Sequence, residues 1–213
     1  VPVAGIIHQN ENTGPDRVYS ERRGITPSVA LGLGTPTTIT AAYLHQDEEK
    51  LPDYGIPTTA VGTTAIARPV SEIGVDSTNY YGFAGDIDET IVDTFTVRVR
   101  HDINSWASLT SDTKYGYYQR HSQYTPTTCN ATCTTNLLDS NPATIPLGSV
   151  GGPGPYEQDT QGVQNITTLA ITAPIGGLRN ELMIGSDVSW QDNDRNGFSY
   201  VTRDTTKDLL NPQ

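Results

Sequence analysis

Apolar and polar side chains alternate in step along several separate stretches of this chain. In GITPSVALGLG, Gly24 to Gly34, the residues Ile25, Pro27, Val29, Leu31 and Leu33 fall on one side, and Thr26, Ser28, Ala30 and Gly32 on the other. In TTITAAYLHQ, Ile39, Ala41 and Tyr43 oppose Thr38, Thr40 and Ala42. In IVDTFTVRVRHDI, Phe95, Val97 and Val99 oppose Thr94, Thr96, Arg98 and Arg100. NITTLAITAPI sets Leu169, Ile171, Ala173 and Ile175 against Thr168, Ala170 and Thr172. LRNELMIGSDVSW sets Leu178, Leu182, Ile184, Val188 and Trp190 against Arg179, Glu181, Gly185, Asp187 and Ser189. SLTSDTKYGYYQRH is weaker, because Ser111 and Thr113 share a face with Leu109, Tyr115 and Tyr117. Successive side chains of a strand point to opposite faces, so period two predicts strands with one apolar face. Nowhere do apolar residues recur at helical spacing over three turns, and an almost all-β fold is expected.

These runs extend about 11 to 18 residues, against about 5 or 6 in soluble proteins and roughly 9 to 11 for a strand that crosses a bilayer. Their connections alternate in length. Short ones (Thr35-Pro36, Ile103 to Trp106, Gly176-Gly177) interleave with long ones near 11–17, 50–89 and 125–163. Tight turns on one side and long loops on the other are the habit of outer-membrane barrels. Trp106 in a short turn, and Tyr43, Tyr117 and Trp190 near opposite strand ends, fit aromatic girdles at two interfaces. The polar faces, with Arg98, Arg100, Lys114, Arg120, Arg179, Glu181 and Asp187, then line a hydrated lumen, where charge costs far less than against lipid.

Composition supports the strands: only 35% of the 213 residues are hydrophobic and 17% charged, the rest being rich in Thr, Gly, Pro and Tyr. The net charge of −11 argues against a nucleic-acid partner. No apolar run is long enough for a membrane-crossing helix, and VPVAGIIHQN lacks the basic and apolar regions of a signal peptide. Cys129 and Cys133, in TTCNATCTT, read as a local disulfide ahead of free thiols; two ligands are too few for a metal site. Asp47-Glu48-Glu49 and Asp86 to Glu89 lack EF-hand spacing and read as a solvated rim. Histidines are scattered, and no nucleophile elbow, zinc-protease motif or phosphate loop is present, so no enzyme is expected.

A resemblance adds to this. RRGITPSVALGLGTPTTITAAYLHQDEEKLPDYGIP resembles the barrel region of TonB-dependent siderophore receptors of the catecholate group. STNYYGFAGDIDET followed by TFTVRVRHDIN, and LRNELMIGSDVSWQDNDRN, resemble later stretches of the same family. The resemblance is weak across 125–162. It implies a barrel of about 22 strands around a plug, of which residues 1–213 supply roughly seven as an internal portion, without the plug or the C-terminal strand.

The implied function is uptake of a ferric siderophore across the bacterial outer membrane. Energy would come from TonB, engaged through the missing N-terminal part. Iron is cargo carried by the siderophore, no cofactor of the protein's own is implied, and outer-membrane lipid surrounds the barrel. Such anionic chelates are held by cationic and aromatic side chains. The candidates are Tyr54, Arg68, Tyr80, Tyr81 and Phe83 in the long loops, with Tyr118, Arg120 and Tyr124 at lumen-facing strand ends. In LPDYGIPTT, Pro52 and Pro57 stop the strand, and Gly55 permits a turn that aims Tyr54. The alternative reading is an extracellular structural or adhesive β-sheet that assembles without transport.

Overall fold

The computed structural model describes residues 2–11, 17–60, 66–138, 149–150, 154–200 and 207–212. Seven long strands form one antiparallel sheet: β1 (Val3–Glu11), β2 (Tyr19–Leu31), β3 (Thr37–Lys50), β6 (Ile87–Asn104), β7 (Ala107–Gln123), β10 (Tyr156–Ile175) and β11 (Leu178–Gly197). They lie side by side in the order β1-β2-β3-β6-β7-β10-β11, each bonded to the next in the chain, with β1 and β11 as open edges. Two short ribbons decorate the long loops: β4 (Thr58–Ala60) with β5 (Ala67–Pro69), and β8 (Thr127–Thr128) with β9 (Ser149–Val150). The strands run up to 20 residues. β10 begins at Tyr156, so the second long loop ends earlier than the Val163 expected from alternation alone. Its residues Tyr156 to Gly162 are polar on both faces and carry no period-two signal.

Register settles the two faces. Tyr43 pairs with Phe95, Phe95 with Tyr115, Tyr115 with Val163, and Val163 with Trp190. Four of these five are aromatic, and they form one row across the sheet. Below the row, with Ile166 and Met183 as exceptions, the large apolar residues of the strands fall on that same face. It is open to its surroundings: Ile25 is 47% exposed, Leu182 53% and Val188 67%. A water-soluble sheet covers its apolar face. This one presents an apolar band under an aromatic row, with Trp106 exposed at the opposite end, which is the dress of a sheet facing lipid. The other face carries Thr38, Thr40, Arg98, Arg100, Lys114 and Asp112, with Arg98 bonded to Asp112 at 2.5 Å.

The short connections obey turn chemistry. Gly176 and Gly177 both have positive φ (62° and 81°), the requirement of a two-residue hairpin whose twist matches its strands. At the other end the loops build the buried core of the described residues: Val70, Val75, Tyr81, Cys129, Cys133 and Leu209, with Ile56, Phe83 and Leu137 against it. Apolar packing thus sits in the cap above the strands. Among the described residues, two elements other than strand lie there: a turn of 3-10 helix at Val70–Ile73, and a short helix, α1 (Ala131–Leu137), whose N-cap Asn130 accepts from the Cys133 amide. At seven residues it is too short to leave a periodic signature.

Candidate functional site

The site lies on the inner face at the looped end, above the aromatic row. Two register rows define it. The upper runs Ser20–Lys50–Asp88–Ser122–Tyr156. The lower runs His8–Arg22–Glu48–Thr90–Arg120–Gln158–Arg195. Inward side chains of alternate strands therefore bring three arginines and a lysine together, although their numbers in the chain are far apart. The outward face at the same height is the reverse. It carries Glu21, Glu49, Glu89 and Glu157 in one row and Asp47, Asp159 and Asp194 in the next. At this height seven carboxylates face outward, with Arg23 and His121 among them, while Arg22, Arg120, Arg195 and Lys50 face inward with Glu48 and Asp88.

Asp88 organises the centre. Its carboxylate, 5% exposed, accepts both arms of Arg120 at 2.7 and 2.8 Å, and the Lys50 ammonium stands 3.2 Å away. Burial pushes this carboxyl up, but the Arg120 hydrogen bonds and the Lys50 charge outweigh it and hold Asp88 below the usual range. Arg22 is paired in turn with Glu48 at 2.9 Å.

Aromatic rings complete the mouth. Tyr54 stacks on Tyr124 with centroids 4.1 Å apart and planes 15° from parallel. Gly55 reaches φ 80°, a conformation glycine adopts without steric cost, and its amide donates to Asp53 Oδ1 at 2.8 Å, so the tyrosine is carried on a closed turn. Burial pushes the Tyr54 phenol up, and the neighbouring Tyr124 adds to it. Tyr156, buried, lies between two guanidiniums, with Arg195 Cζ 3.7 Å and Arg120 Cζ 5.8 Å from its centroid. Tyr19, Lys50, Tyr54, Asp88 and Arg120 line a cleft of about 490 Å³.

The structure thus gathers Tyr54, Tyr124 and Arg120. Tyr118, 37% exposed, is on the same inner face one row below Arg120 and lies across Gly116, where a Cβ would meet its ring at 2.7 Å. Three other candidates serve the cap. Tyr80 is 8% exposed and donates to Pro52 O at 3.1 Å; Tyr81 is 2% exposed and donates to Leu209 O at 2.9 Å. Both phenols are pushed up by burial. Phe83 packs on the cap core beneath the Lys207 ammonium, 4.5 Å from its centroid. These rings are taken up in the packing of the loops, alongside Val70, Val75 and Ile56, and do not stand open at the mouth. Arg68 stands exposed on β5, 3.7 Å from Glu72, and contacts none of the other candidates. Cys129 and Cys133 are bonded to each other inside the cap. Sequence reasoning missed Lys50, Asp88, Tyr156 and Arg195. The alternation marks Lys50 and Asp88 as inward, but pairing across strands supplies the rest.

Comparison with known proteins agrees with the fold. The chain is 37% identical over 112 residues, half its length, to the catecholate siderophore receptor Fiu of Escherichia coli K12, and covers 15% of that protein. It is 27% identical over 209 residues, 93% of the chain, to "Probable TonB-dependent siderophore receptor PiuA" of Acinetobacter baumannii, and covers 25% of it. The crystal structure of the open form of the E. coli ferric-catecholate import receptor Fiu superposes with a TM-score of 0.83 at 24% identity, over 99% of this chain and 32% of that one. No protein-family model matches.

Proposed function

We propose that the chain is part of the barrel of a TonB-dependent siderophore receptor, as its similarity to such proteins supports, and that the whole protein takes up a ferric siderophore of the catecholate class across the outer membrane. The observation that carries this reading is the inner mouth. Arg22, Arg120, Arg195 and Lys50 gather there, with the Tyr54–Tyr124 stack, in a chain of net charge −11. Iron(III) bound by three catecholates is a trianion with flat aromatic faces. Cations answer its charge, and stacked rings answer its faces. The chemistry is binding followed by gated passage, with no covalent step. Energy is delivered by TonB through a part of the protein N-terminal to these residues, and the apolar band below the aromatic row is the surface that meets outer-membrane lipid.

The test uses the full-length receptor. Binding of the trianionic iron(III) tris-catecholate complex and of a neutral iron(III) tris-hydroxamate is measured in detergent, and iron uptake is compared in cells with and without the gene. The expected result is saturable binding of the trianion and loss of its uptake on deletion. No chelate bound in vitro and unchanged uptake would overturn the reading. An adhesive sheet protein would leave the inward cations without a task.

A further inference from the structure

Of the three arginines in the inner row, two are already committed. Arg22 donates to Glu48 at 2.9 Å, and Arg120 gives both arms to Asp88. Arg195 has no carboxylate partner among the described residues. It is exposed, on the inward side of β11, and lies over the face of Tyr156 at 3.7 Å. Tyr156 is itself fixed, 7% exposed and set between Ser122 and Gly197 in the register. A guanidinium resting on a ring keeps its N–H donors in its own plane, pointing past the ring edge, and remains less hydrated than an ammonium. A ligand anion that takes Arg22 or Arg120 must compete with a carboxylate already in place. One that takes Arg195 meets no carboxylate partner to displace among the described residues.

We infer that Arg195, presented on the face of Tyr156, is the primary anion-binding group of the mouth and sets its preference for negatively charged chelates over neutral ones. This rests on the uptake reading above and deepens it. Arg120, on the other side of Gln158 in the same row and 5.8 Å from the same ring, provides the second positive flank without leaving Asp88. The ligand class follows from the donor: an oxyanion with two oxygens in one plane, such as a catecholate or carboxylate edge, matches the guanidinium fork.

The experiment uses the full-length receptor and the variants R195Q and R195K, with equilibrium binding of the trianionic iron(III) tris-catecholate at low and high salt. Loss of one charge-assisted contact predicts about a ten- to hundredfold weaker affinity in R195Q at low salt. It also predicts a shallower salt dependence than wild type, because one charge no longer takes part. R195K keeps the charge without the fork, so it keeps the salt slope and loses part of the affinity. Wild-type binding with R195Q unchanged overturns the inference and leaves the uptake reading standing. Weaker binding in R195Q with an unaltered salt slope also overturns it, since a merely structural role gives that result. A wild-type receptor that binds no chelate removes both.

Discussion

Asp88 shows how one residue governs the charge of the mouth. Its carboxylate answers two cations, Arg120 and Lys50, from β7 and β3. Asp88→Asn removes the charge and leaves both cations facing each other, so stability of the looped end should fall by about 1–3 kcal/mol, since both partners still reach water. A lower melting temperature in detergent, rescued in part by Asp88→Glu, is the expected measurement. The pH dependence has a definite sign. The folded carboxyl is held below its ordinary value, so its stabilisation is present above the unfolded value and is lost only as pH falls through the depressed one. The Arg120–Asp88 link therefore survives mild acid, and melting temperature should drop only below the usual carboxylate range. The phenols behave oppositely. Burial raises Tyr80 and Tyr81, so their contribution is complete below the usual tyrosine value near 10 and fades as pH climbs past it. An ultraviolet titration should show these two ionising after the exposed tyrosines, together with opening of the cap.

At the scale of the element, β7 and β10 carry a polar knot inside an otherwise apolar face. Asn165 donates to Ser111 at 3.0 Å and to Thr113 at 2.8 Å and accepts from Thr167 at 2.9 Å, while Ser111 and Thr167 stand 2.9 Å apart. The weak period-two signal around Ser111 and Thr113 has its explanation here: the polar side chains satisfy one another across the strand pair, so the lipid-facing surface pays little for them. Asn165→Val breaks this closed set, taking the Asn165 partner from Thr113 and leaving Ser111 and Thr167 with only each other, and should destabilise the strand pair by about 1–3 kcal/mol. Replacing all four with valine should restore most of that loss, because an unmet polar group costs more than an absent one. Thermal melts of the two variants distinguish these outcomes.

Six of the seven long strands are legible in the sequence, β7 only weakly, because period two is a local property; β1, VAGIIHQNE, lacks the alternation and is not announced by it. The faces, and with them the inward set of Arg98, Arg120 and Asp187, follow from the same alternation. Tyr80 and Tyr81 are not legible as buried: a loop tyrosine reads alike whether it meets ligand or packs on Leu209, which lies far along the chain. Arg195 over Tyr156 is equally hidden, because it depends on which residue of β11 stands beside which residue of β10. Nothing in PYEQD or DNDRN encodes that register.

At the scale of the whole molecule the packing is divided. The strands hold together by backbone ladders and leave their apolar band for lipid, whereas the cap folds around a core of its own. That core joins the loop between β3 and β6, the loop after β7, and the segment after β11. Tyr81 bonds to Leu209 O, Asn79 reaches Leu209 O at 3.4 Å, and Thr125 donates to Asp86 at 2.8 Å. The Cys129–Cys133 bond lies within it, with Cys133 fully buried beside Val70 and Tyr81. Closing so short a loop restricts the open state by about 2 kcal/mol on chain-entropy grounds. Among the described residues, the core around the bond contains none from the seven long strands, so its loss should be felt in the cap alone. In the full-length receptor, the double variant C129S/C133S should keep its strand amides protected against hydrogen exchange. Exchange in the segments 70–83 and 129–137 should quicken by about thirtyfold, the same free energy expressed as a ratio of opening constants. Tyr54 and Tyr124 would lose their fixed approach as the cap loosens, so affinity for the chelate should fall without a change in its charge preference, which belongs to the arginines on the strands. Faster exchange spread evenly through β6, β7 and β10 would show that cap and sheet are one cooperative unit.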